Sequence, residues 1–270
     1  MSLILCRQEP CRHPYYIERL GYHISSSPEL CYVLYNNPLL AMGGFIDDNL
    51  IEFIREELTM PFLAGKLEKW MKSGEDPDEL IFIILQECYY YSAKEISRLR
   101  QIVGAYRKMS PPEFMKATAD YYFALGQFGT AIVYYEKILE DWHLKSLNDE
   151  LTARVWNNIG ASYAGIFWFE KAMSAYDMSY NFQKNPDTLK RIYLLTLLNT
   201  DLPLKERYQS LITEDMKKEW EKELLEVKAK GRESAEFKAI GENFEKDSIR
   251  RMTGAGKVLA DWKLGYRKMI

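Results

Sequence analysis

Apolar residues along most of this chain recur every three or four positions, which predicts helices. "DDNLIEFIREEL" puts Leu50, Ile51, Ile54 and Leu58 on one face, behind Asp47 or Asp48 as N-cap. "SSPELCYVLYNN" offers Ser27 as N-cap and Pro28 at the first helical position. Another helix is expected over 61–73. "DPDELIFIILQECYYY" starts from Asp76 with Pro77 in its first turn, and "SAKEISRLRQIVGAY" carries Ser92 and Glu95 at capping-box spacing. Alternation suited to strands is confined to "YYIERLGYHIS", residues 15–25, where a short hairpin would turn near Gly21. Residues 1–110 therefore read as a small helical domain.

From 111 the helices come in pairs. Residues 153–186 supply Trp156, Ile159, Gly160 and Tyr163, then Ala172 and Tyr176, then Pro186. Residues 112–145 supply Met115, Thr118, Ala119 and Tyr122, then Ala131 and Tyr135, with Gly126 at the turn. The two units start 41 residues apart, the extra length falling around "SLNDELT". A third unit begins at 187, and its second helix, over 204–211, is degenerate. Each unit is a helix pair that cannot bury its apolar face alone. Small residues at 119, 131, 160 and 172 let backbones approach, and the aromatic rings fill the space between successive pairs.

Beyond 213 the chain is highly charged, rich in helix formers and free of proline. It reads as one long helix, broken near Gly231 or Gly241. "TGAG", 253–256, would then turn the chain into a short final helix over 257–269. The long helix needs a cover for its apolar stripe. It can cap the end of the repeats, fill their groove or form a homodimer; capping fits best, because an open repeat end exposes apolar surface.

These residues make the chain resemble the tetratricopeptide-repeat superfamily over roughly 112–212. The start, "HPYYIERLGYHISSSPELCYVLYNNPLL" with "IREEL" following, is also similar to bacterial proteins that place a small helical domain before such repeats. That likeness carries no activity with it. The superfamily resemblance implies an all-α superhelix and an interaction scaffold, whose first helices line a groove for a peptide or a partner helix. Mapped onto this chain, the groove residues are Lys116, Asp120, Phe123, Arg154, Asn157, Asn158 and Arg191. One subset of the superfamily clamps a peptide's terminal carboxylate with lysine, arginine and asparagine. Lys116 and Asn158 match that pattern, whereas Asp120, Thr188 and Ile192 depart from it.

Charge narrows the partner. The 270 residues carry a formal charge of -3, spread evenly: 12 basic and 15 acidic side chains to residue 110, 10 and 12 over 111–212, and 14 and 12 beyond. A general polyanion binder needs a basic surface, so nucleic acid is not expected as partner. No apolar run is long enough to span a bilayer, and "MSLILC" is too short for a signal-peptide core, so a cytoplasmic, membrane-free setting is expected. A nucleic-acid-associated regulator working through the terminal helix is a competing reading that this flat balance counts against.

No pattern of a hydrolase, a dinucleotide fold or a zinc protease is present, so no enzyme and no cofactor are expected. "TGAGKV" departs from a phosphate loop at Arg251 and Val258. Cys6, Cys11, His13, His23 and Cys31 are ligand types for zinc, and a metal-binding regulatory module at 6–31 is the alternative function. Their ragged spacing favours buried thiols and surface imidazoles. His143 follows a helix end, where a cation suits the dipole. "CYYYS", 88–92, reads as a helix-end core contact.

Overall fold

The structure, a computed structural model, describes residues 11–140, 148–245 and 248–270. The fold is all-α apart from one two-stranded hairpin among the described residues. Two compact units divide between Ser110 and Pro111.

In the first unit, β1 (Tyr15–Ile17) pairs antiparallel with β2 (Tyr22–Ile24) across a turn in which Gly21 takes a positive φ of 73°. Ile17 and Ile24 point to the core, and Tyr16 and His23 stack on the outer face. α1 (Ser27–Asn36) is capped by Ser26, not Ser27, because the Ser26 hydroxyl accepts from the Glu29 amide. A short α2 (Pro38–Leu40) runs into a widened turn, Ala41–Phe45, that ends on Gly44 at φ 82°. α3 (Asp48–Glu56) starts from the Asp47 cap, and α4 (Pro61–Ser73) stops at left-handed Gly74.

α5 (Glu79–Glu87) begins later than Asp76 and Pro77 suggest. The Asp76 carboxylate accepts from the Asp78 amide and holds a turn before the helix. All six residues from Leu80 to Leu85 are buried, as in a helix surrounded by others. α6 (Ala93–Arg107) carries the expected capping box at Ser92 and Glu95. Its Arg107 binds nearly buried Asp78 through two hydrogen bonds of 2.6 and 2.7 Å.

In the second unit, α7 (Pro111–Ala124) and α8 (Phe128–Glu140) pack together, as do α9 (Asp149–Gly165) and α10 (Phe169–Phe182). The two turns repeat at the 41-residue offset. Gly126 has φ 74°, with the Gln127 amide bonded to Tyr122 O; Phe167 has φ 64°, with the Trp168 amide bonded to Tyr163 O. α11 (Pro186–Leu198) follows, and the degenerate partner is the four-residue α12 (Glu206–Gln209). Residues 141–147, with His143, lie outside the described residues.

One apolar cluster joins Ala119, Tyr122, Ala131 and Tyr135 to Val155, Ile159 and Ala175. A second joins Ala172 and Tyr176 to α11, α12 and the next helix, with Tyr163 packing against both clusters. Ala119, Ala131, Gly160 and Ala172 are buried where helices meet. Trp156 and Tyr163 are half-buried and lie against the core.

The charged tail is three helices: α13 (Glu214–Arg232), α14 (Ala235–Phe244) and α15 (Ser248–Met269). Trp220 of α13 is buried and its ring lies 5.7 Å from that of Tyr193 on α11. The break after Arg232 falls at Ser234, whose hydroxyl caps α14. "TGAG" is not a turn: 253–256 lie inside α15. A Cβ at Gly254 would stand 2.5 Å from Asn243 Oδ1, so within the helix this glycine leaves room for a close neighbour.

Candidate functional site: a polar row across three helices

Five of the seven groove residues come together. Lys116 and Asp120, one helical turn apart on α7, pair at 2.7 Å. Asp120 also accepts from Tyr135 Oη at 2.5 Å and from Asn158 Nδ2 at 2.9 Å. Asn158 reaches Tyr135 Oη as well, at 3.2 Å, and its own Oδ1 accepts from Asn157 Nδ2 at 3.2 Å. Arg191 of α11 completes the row by donating to Asn157 Oδ1. The row thus runs Lys116, Asp120, Asn158, Asn157, Arg191 across the first helices of the three successive units.

Its electrostatics follow from the partners. Asp120 has three donors, a cation, a phenol and an amide, so its charge is held in place and is not presented bare. The Tyr135 ring is fully buried; burial, then the Asp120 carboxylate, pushes its phenol well above the ordinary value, so it stays a donor. Tyr163 donates a hydrogen bond to Glu136 Oε1 at 2.9 Å and is pushed up to about 12, first by burial and then by that carboxylate. Tyr176, under the row, is pushed up to about 12 by burial.

The other two stand apart from the row. Phe123 packs edge-on to Phe128 at 5.2 Å, half-buried, and Arg154 is exposed and pairs with Glu150 on its own helix. Thr188 and Ile192, at the positions where the carboxylate clamp has basic residues, are buried in the core. Tyr135 was legible as core but not as a member of the row; its phenol oxygen gave no signal apart from its ring. Glu136 was missed, and its only sequence signal is its place beside Tyr135.

Among the described residues Cys11 and His13 share a partner, and His23 and Cys31 lie elsewhere. Cys6 lies outside the described residues. Cys31 is fully buried, and a hydrogen bond with Cys88 together with burial pushes its thiol well up. His23 stacks on Tyr16, while Cys11 and His13 both turn to Glu57, with His13 Nδ1 2.6 Å from Glu57 Oε1. Among the described residues no three ligand-type side chains are placed to hold a metal ion. In "CYYYS", Tyr91 stacks on Tyr35 at 4.1 Å, but Tyr89 and Tyr90 are exposed, so most of that aromatic run is not the core contact expected. A bulky residue at Tyr89, with φ 51°, points its ring outward.

No family model, curated protein or solved structure matches this chain.

Proposed function

We propose that the second unit is a tetratricopeptide-like helical-hairpin stack that serves as a non-enzymatic scaffold, its first-helix face holding a peptide or helix of a protein partner. The observation that carries this reading is the polar row from α7, α9 and α11. A row of amides and opposite charges, ordered before binding, offers hydrogen bonds to a peptide backbone without the cost of arranging side chains. Below it the aromatic core fixes the helix spacing. Lys116 is already paired with Asp120, and Thr188 and Ile192 leave the clamp's basic positions without a cation, so an internal or helical segment suits the row better than a free chain terminus.

The test is affinity purification with the wild-type chain and with Lys116→Glu plus Arg191→Glu. Loss of the specific partner, with the helical content unchanged, supports the reading. Recovery of the same partner by the double variant sinks it.

A further inference from the structure

Because α15 continues through 253–256, it is one rod of 22 residues, about 33 Å long. Its charge differs from that of the rest of the chain. Arg250, Arg251, Lys257, Lys263, Arg267 and Lys268 face a single acid, Asp261. The whole chain is -3, so the remainder is acidic on balance. The even balance of 14 basic and 12 acidic residues beyond 213 hides this segregation, because α13 and α14 carry eight of those acids and α15 only one.

The rod is also two-sided. Met252, Ala255, Val258, Leu259, Trp262 and Met269 fall at three- and four-residue steps on one face. α14 covers that face only in part. A shallow, mainly apolar groove between the two helices is lined by Ile240, Ala255, Val258, Leu259 and Trp262, together with Asn243 and Arg251. Met252 remains 79% exposed, Trp262 60% and Leu259 50%. Toward the end of the rod, Tyr266 accepts from Trp168 Nε1 at 3.2 Å and donates to Ile166 O at 3.3 Å, which fixes the helix to the turn between α9 and α10.

We infer that α15 is a docking helix for an anionic lipid bilayer surface, lying in the interface and not crossing it. Among the described residues no helix is long and apolar enough to cross a membrane. An interfacial helix needs a moderately apolar face with a large aromatic and a basic opposite face, and α15 has both. Trp262, mid-stripe, suits the headgroup boundary, where an indole can be half wet. Lys257, Lys263, Arg267 and Lys268 lie on the flanks and the far side, from which long stems reach lipid phosphates. An acidic protein helix would satisfy the same cations. The half-open apolar stripe, with exposed Trp262 on it, favours a bilayer. The inference does not depend on the polar row; its failure leaves the groove reading intact.

The full chain should co-sediment with vesicles of phosphatidylcholine containing phosphatidylglycerol and not with phosphatidylcholine alone, and salt should weaken the binding. Lys257→Gln with Lys263→Gln should weaken binding about 30-fold at low salt, at roughly fivefold per cation. Leu259→Ser with Trp262→Ser should weaken it at least about tenfold. Brominated lipid should quench emission from the wild-type protein more than from Trp262→Phe, a readout that needs no charge variant to fold. No binding to anionic vesicles, or equal binding to both vesicle types, overturns the inference. Capture of polyglutamate without vesicle binding overturns it in favour of an acidic protein partner.

Discussion

Gly160 is the tightest test of how α9 meets α10. A methyl group at this position would stand 2.6 Å from Tyr176 Cδ1 and 2.7 Å from Cε1. Relaxed carbon contacts lie near ~3.5–4.0 Å, so the ring or a helix must move by about 1 Å. Tyr176 is 4% exposed and cannot swing into solvent. Overpacking of this kind costs about 1–3 kcal/mol, while replacing a helical glycine with alanine returns about 1 kcal/mol. Gly160→Ala should therefore lose up to about 2 kcal/mol, read as a fall in Tm of up to about 8 °C. Gly256→Ala is the control: nothing lies within 4 Å of its Cβ position, and it sits inside α15. It should gain up to about 1 kcal/mol. Adding Tyr176→Leu should recover part of the loss at Gly160 by removing the ring edge. Thermal and urea unfolding of the four proteins decide the matter. If Gly160→Ala is stabilised as much as Gly256→Ala, the close approach of α9 and α10 does not exist and the interlocked core is wrong.

Three further outcomes are expected. Tyr135→Phe removes a donor to the Asp120 carboxylate and should cost about 1.5–3 kcal/mol in urea unfolding; no loss would mean that the phenol is not part of the row. Phe167→Gly should stabilise the second unit by up to about 1 kcal/mol, since a bulky side chain at φ 64° carries left-handed strain that glycine lacks, and a destabilisation would contradict that turn. The Glu57 carboxyl should titrate near about 2, held down first by the His13 side chain and then by the His13 and Arg12 amides. A folded value below the unfolded one means that these contacts contribute stability above pH ~4.5 and lose it as pH falls toward 2. Carbon NMR of the carboxyl reads this directly, and a midpoint near 4.5 would refute it.

The buried contacts between paired helices were readable because residue size carries the information: Ala119, Gly160, Ala131 and Ala172 are small where helices meet, and Tyr122, Tyr135 and Tyr176 fill what remains. The caps at Asp47 and Ser92 were readable because they act within four residues. The polar row was only partly readable. The superfamily resemblance mapped Lys116, Asp120, Asn157, Asn158 and Arg191 to one groove, yet it could not show that Arg154 turns to Glu150 or that Phe123 turns to Phe128. Those choices depend on neighbours that are distant in the fold or compete along the helix. "TGAG" was misread because glycine signals both a turn and a close approach, and only the position of Asn243 tells the two apart. The basic character of α15 was lost by averaging it with the acids of α13 and α14.

The most direct test of the scaffold places a photo-crosslinking residue at Arg154 or Arg191, both exposed on first helices, and separately at Ser174, exposed on the second helix α10. The expected result is one partner trapped from 154 and from 191 and nothing specific from 174. Equal trapping from 174, or none from the first-helix pair, contradicts the assignment of the first-helix face as the binding face.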